Sequence, residues 1–96
     1  GFMNEIAELI IDSLADDFES FPLIRDQIPL DRSDGEVLNE LRNLIETGYV
    51  VPFEYEPRLN TFVERAFDLS KVQSYWFGLS AEGKNEQRRI ATDERE

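Results

Sequence analysis

The sequence predicts an α+β domain in which three helices are closed by a β-hairpin and followed by a C-terminal helix. Three observations carry that prediction. An apolar stripe of helical period runs through residues 3–18 and again through 34–47. Period-two alternation replaces it at 49–56 and 72–79. Gly48, Pro22 and Pro29 stand where one pattern gives way to the next.

In residues 3–18, Met3, Ile6, Ala7, Ile10, Leu14 and Phe18 form the apolar side, and Glu5, Glu8, Asp12, Asp16 and Asp17 the wet one. Leu9 and Ile11 widen the apolar sector, as a core-facing helix or a helix meeting a second copy requires. Ser20-Phe21-Pro22 interrupts the helix. Pro22 suits the first position of a second, short one that ends before Pro29, with Leu23, Ile24 and Ile28 as its buried side. Ser33 and Glu36 then have the spacing of a capping box. They open a helix over 34–47 whose stripe is Val37, Leu38, Leu41, Leu44 and Ile45, and Gly48 is its left-handed stop.

Val51, Phe53 and Tyr55 alternate with Pro52, Glu54 and Glu56, so the first strand turns one aromatic face inward. Pro52 cannot donate to a ladder, which predicts an edge strand or a bulge. In 57–70, Thr61 and Glu64 repeat the capping-box spacing, and Phe62, Ala66, Phe67 and Leu69 could line a short helix. Residues 72–79 read as the second strand, with Tyr75, Phe77 and Leu79 on one face and Trp76 on the other. Ser80 caps a last helix that is polar nearly all round and is expected to fray near Glu96.

Composition narrows the function classes. Ninety-six residues with 41% hydrophobic content fit one folded domain, 1–96, without internal repeats. Gly1 in the place of an initiator Met fits a trimmed tag. The absence of histidine and cysteine removes the commonest general base, nucleophilic thiols, disulfides and thiolate metal sites, and fits a cytoplasmic protein. The net charge of −11 is uneven. Residues 1–20 hold six acids and no base, and 33–47 set Asp34, Glu36, Glu40 and Glu46 against Arg42 alone. Such a field repels phosphate backbones and acidic membranes and favours basic partners.

No constellation supports an enzyme, a cofactor, a metal or a small-molecule ligand. Ser80 and Lys84 are better explained as a cap and an exposed helix residue. Asp12, Asp16 and Asp17 are solvated charge on a wet helix face. Residues 31–36 mimic a calcium loop only superficially, because Gly35 falls at the fifth place and Arg42 at the twelfth. Lys84, Arg88 and Arg89 alternate with Glu82 and Glu86 as on a salt-bridged surface helix. Eight of the 11 aromatics lie between Tyr49 and Phe77. Most are expected to fill the core, leaving Trp76 and Phe62 as the best candidates for an exposed patch that meets a protein partner.

The run from Phe21 to Val51, with Val37, Leu38, Leu41, Leu44, Gly48, Tyr49 and Val50, resembles the helix-turn-helix of winged-helix domains. Tyr75-Trp76-Phe77-Gly78-Leu79-Ser80-Ala81-Glu82-Gly83 is similar to the strand-to-helix ending of many of them. The resemblance implies a small winged-helix domain: a three-helix core, a β-hairpin wing with a possible insertion at 57–70, and a C-terminal helix. It also implies that helix 34–47 is the recognition helix, presenting Glu36, Asn39, Glu40, Arg42 and Asn43. Asn39, Asn43 and Arg42 are chemically able to read bases, and Arg58 or Lys71 in the wing could touch phosphate. The acidic surface of that helix argues instead for a protein-interaction or dimerisation module, with DNA-binding regulation as the alternative. Arg58, Phe62, Lys71 and Trp76 are then the candidate wing or interface residues.

Overall fold

The computed structural model describes residues 4–94, with side chains as far as Thr92. The expectations for Gly1, for Met3 and for fraying at Glu96 lie outside the described residues. The elements run α1 (Glu5–Ser13), β1 (Glu19–Ser20), α2 (Phe21–Asp26), α3 (Asp34–Glu46), β2 (Val50–Glu56), β3 (Thr61–Glu64), a 3-10 turn (Leu69–Ser74), β4 (Trp76–Leu79) and α4 (Ala81–Glu94). The strands form one antiparallel sheet in the order β1-β4-β2-β3. The architecture is therefore α+β.

Local chemistry sets the helix ends. The Ala7 N–H donates to Asn4 Oδ1 at 2.8 Å and starts α1. The capping box of α3 is complete: Glu36 N–H donates to Ser33 Oγ, and Glu36 Oε1 accepts from Ser33 N–H. Gly48, at φ +87, ends the turn after α3 in a conformation open mainly to glycine.

The core gathers Ile6, Ile10, Ile11 and Leu14, then Phe21, Ile24 and Ile28, then Val37, Leu41 and Leu44, beneath Val50, Tyr75 and Phe77 of the sheet region, with Ile90 from α4. Helix α1 packs against both α3 and α4. That explains its wide stripe without a second copy: Ile11 is fully buried inside one chain. Only Gly83 and Ile90 of the described α4 side chains are buried, so this helix is indeed polar on most of its surface.

Several expectations change. The first helix stops at Ser13, not at 18, and Phe18 leaves it altogether. Residues 14–17 bend instead so that Glu19 and Ser20 pair with Phe77 and Trp76, a two-residue strand too short to leave a period in the sequence. Leu23 is 45% exposed, and Phe21 takes its expected place in the core. On β2 the faces are reversed: Val50 and Pro52 are buried, while Val51, Phe53 and Tyr55 lie on the opposite face. Nor is β2 an edge. It runs between β4 and β3, and Pro52 is tolerated by parity. The Pro52 carbonyl accepts from Arg65 N–H at 3.0 Å, so its nitrogen faces the end of β3, where the ladder stops and no donor is required.

Residues 61–64 form a strand rather than a helix. Glu56 and Thr61 are joined by a four-residue turn in which Asn60 takes φ 53, and the hairpin pairing overrides the capping-box spacing. The chain then crosses beneath the sheet. Buried Tyr75 anchors this crossing, its hydroxyl donating to Ala66 O at 3.1 Å and accepting from Asp68 N–H at 2.9 Å. Residues 72–74 consequently belong to the 3-10 turn, and the last strand begins only at Trp76. None of the helices among the described residues is long and apolar enough to cross a membrane.

Candidate interaction surface

The sheet has a second apolar face, turned away from the helices. Antiparallel register places Phe53 opposite both Trp76 and Glu64, Tyr55 opposite Phe62, and Val51 opposite Gly78. Paired residues share a face, so Val51, Phe53, Tyr55, Phe62, Glu64, Trp76 and Gly78 all point outward. Phe18, which the sequence pattern had assigned to α1, completes this layer. A Cβ at Gly78 would stand 2.7 Å from the Phe18 ring, so the bare glycine is the slot in which that ring lies.

The rings form one connected cluster. Phe18 stacks on Phe53 with centroids 4.7 Å apart and planes 12° from parallel. Phe62 meets Phe18, Tyr55 and Trp76 edge-on at 5.4, 5.5 and 6.2 Å. These are the preferred geometries of aromatic pairs. Yet the cluster is not covered: Tyr55 is 48% exposed, Phe62 39% and Trp76 37%. No lysine or arginine lies on the outward positions of β2, β3 and β4, while Glu64 sits at one margin and Asp16 and Asp17 precede Phe18 at the other. Among the described residues these three carboxylates make no ion pair within 4.0 Å.

Phe62 and Trp76 are thus brought together. Arg58 and Lys71 are not: Arg58 lies in the β2–β3 turn and Lys71 in the 3-10 turn that leans on α2. Beside Lys71, the Asp68 carboxyl is held below its ordinary value of 3.8, first by the Ser70 hydroxyl and then by the Ser70 N–H, both donating to it.

The outward side of α3 exposes Glu36, Asn39, Arg42 and Asn43, with Glu40 half-buried. Their polar groups are already engaged in part. Glu36 serves the capping box and lies 3.8 Å from Arg32, and Arg42 donates to Asn39 Oδ1 at 3.3 Å. Glu36, Asn39 and Glu40 line a groove against Asn4 and Glu5 at the start of α1 and Arg32 in the connection before α3. Asn39 and Arg42 line another, whose far wall is Leu69. Leu69, at the start of the 3-10 turn, therefore stands beside Asn39 and Arg42, and Asn43 does not line this groove.

Sequence reasoning missed two further features. Phe18, Phe53 and Tyr55 belong to the exposed cluster; the signal was Gly78 inside an otherwise bulky strand. Arg25 is a staple: its guanidinium donates to Asp34 Oδ1 at 2.7 Å, to the carbonyls of Ile28 and Pro29 at 3.3 Å, and to the Arg32 carbonyl. One side chain thereby fixes the connection from α2 to α3. No protein-family model, no curated protein and no solved structure matches this chain.

Proposed function

We propose that this chain is a winged-helix-like domain that acts as a non-enzymatic protein-contact module through the outer face of its sheet. The fold half of the reading is supported by the short α2 and the 13-residue α3 joined through the Arg25 staple, and by β2 and β4 pairing as a hairpin whose long connection carries β3. The tight seating of α4, through Gly83, on Tyr49 also supports it. The observation that carries the functional half is the connected, half-exposed layer of Phe18, Phe53, Tyr55, Phe62 and Trp76. Exposed aromatic clusters of this kind are the usual anchors of protein interfaces. DNA recognition by α3 is the weaker reading, because Arg42 is the one cation among Asp34, Glu36, Glu40 and Glu46, and phosphate neutralisation supplies most non-specific affinity.

The test is a selection of binders from a protein-display library on the folded domain, counter-screened on a Phe62→Ser/Trp76→Ser double variant and on an Asn39→Ala/Arg42→Ala one. Most binders are expected to lose the first variant and keep the second. The opposite pattern, or a salt-sensitive shift of duplex DNA at about 50 mM salt, overturns the reading.

A further inference from the structure

We infer that the open edge of β3 takes an extended, basic segment of a partner protein as an additional strand, its side chains lying on the aromatic layer. This deepens the protein-contact reading and rests on it. Because Arg65 N–H donates to Pro52 O, ladder parity turns the backbone groups of Thr61 and Val63 toward β2 and those of Phe62 and Glu64 outward. Among the described residues β3 neighbours β2 alone, so the outward groups of Phe62 and Glu64 form an unpaired edge there. The crossing after Arg65 does not cover it, since Phe67 packs underneath the sheet on Tyr75 and Phe77.

Proteins commonly blunt such edges with proline, lysine or a bulge. Thr61-Phe62-Val63-Glu64 has no proline, lysine or bulge; it is four residues long, and its one charge, Glu64, stands on the aromatic face. The edge is instead continuous with exposed aromatics, the arrangement that strand addition uses: main-chain bonds for affinity, alternate side chains for specificity.

Charge chooses the occupant. The outward positions of β2, β3 and β4 bear Glu64 and no cation, and Arg65 beside Glu64 pairs with Glu56 instead. At the far margin Asp16 and Asp17, which share a hollow with Lys84, make no ion pair within 4.0 Å among the described residues, and the whole chain carries −11. A second copy would bring the same acids to the same edge. A strand with lysine or arginine at alternate positions would meet Glu64 and lay its cationic side chains along Phe62, with the Tyr55 ring next behind it.

A random-peptide display library selected on the folded domain tests this. Recovered peptides are expected to alternate apolar with basic residues and to slow hydrogen exchange at the Phe62 and Glu64 amides. N-methylation of the peptide at alternate residues is expected to weaken them about tenfold or more. If Trp76→Ala abolishes binding while those two amides exchange as before and N-methylation has no effect, strand addition is overturned and the aromatic-face reading stands. Peptides whose protection maps to α3 overturn both. Acidic peptides, no recovered peptide, or protection of the same amides by self-association alone each overturn the basic-strand assignment.

Discussion

Gly83 offers the sharpest test of how this molecule is assembled. It lies in the first turn of α4, and a Cβ there would stand 2.1 Å from the Tyr49 carbonyl oxygen, 3.0 Å from its carbon and 3.2 Å from Leu79 Cδ2. Reaching even a 3.0 Å contact requires the helix and the α3–β2 turn to separate by 3.0 − 2.1, about 0.9 Å. The same junction holds the Ser80 N–H donating to Tyr49 O at 3.0 Å and the Ser80 hydroxyl donating to Gly48 O. Forcing an extra carbon into packed structure costs about 1–3 kcal/mol. The two Ser80 bonds contribute about 1 kcal/mol each and would be strained or lost. Alanine returns about 1 kcal/mol of helix propensity. Gly83→Ala should therefore destabilise by about 2–4 kcal/mol, lowering the Tm by about 10–20 °C in a domain of this size. Gly35 is the internal control. It is also helical, but the nearest atom to its added Cβ is Ser33 Oγ at 3.8 Å, so Gly35→Ala should leave the Tm unchanged or raise it slightly. Thermal melts followed by circular dichroism read both. A Gly83→Ala protein that melts with the wild type, or a Gly35→Ala protein that falls as far, refutes the close-approach argument.

Arg25→Lys should cost about 2 kcal/mol in urea denaturation, because an ammonium cannot reach the carboxylate of Asp34 and the carbonyls of Ile28, Pro29 and Arg32 together; most of that loss comes from the carbonyl bonds, since Asp34 is well exposed. Gly78→Ala should cost about 1–2 kcal/mol by displacing the Phe18 ring, and the penalty should shrink in a Phe18→Ala background; additive penalties in that cycle would disprove the slot. The Asp68 carboxyl, depressed in the folded state, stabilises its turn fully above pH 3.8 and ceases to do so as pH falls through its lower folded value. The Ser70 amide resonance should report that transition below pH 3.8, and Asp68→Asn should remove it.

The sequence determined what adjacent residues decide among themselves. The Ser33–Glu36 box, the stripe of α3, the Gly48 stop and the Ser80 cap all depend on groups a few positions apart, and each could be read directly. So could the outward placement of Trp76 relative to Tyr75 and Phe77, which follows from period-two geometry. Asp34, Glu36, Glu40 and Glu46 by themselves set the sign of the field on α3.

Only the tertiary structure decided matters settled between distant segments. Both faces of β2 are apolar at its start, and alternation alone cannot say which one faces the helices. Val50 joins the core with residues of α1 and α3, Pro52 is buried on the same face, and the reach of Phe18 into the Gly78 slot claims the other face for Phe53. Residues 61–64 became a strand because β2 offered a free edge, a long-range partner that a capping-box spacing does not reveal. The aromatic surface and its open edge therefore come from packing between elements remote in the chain, while the helices beneath them come from neighbours.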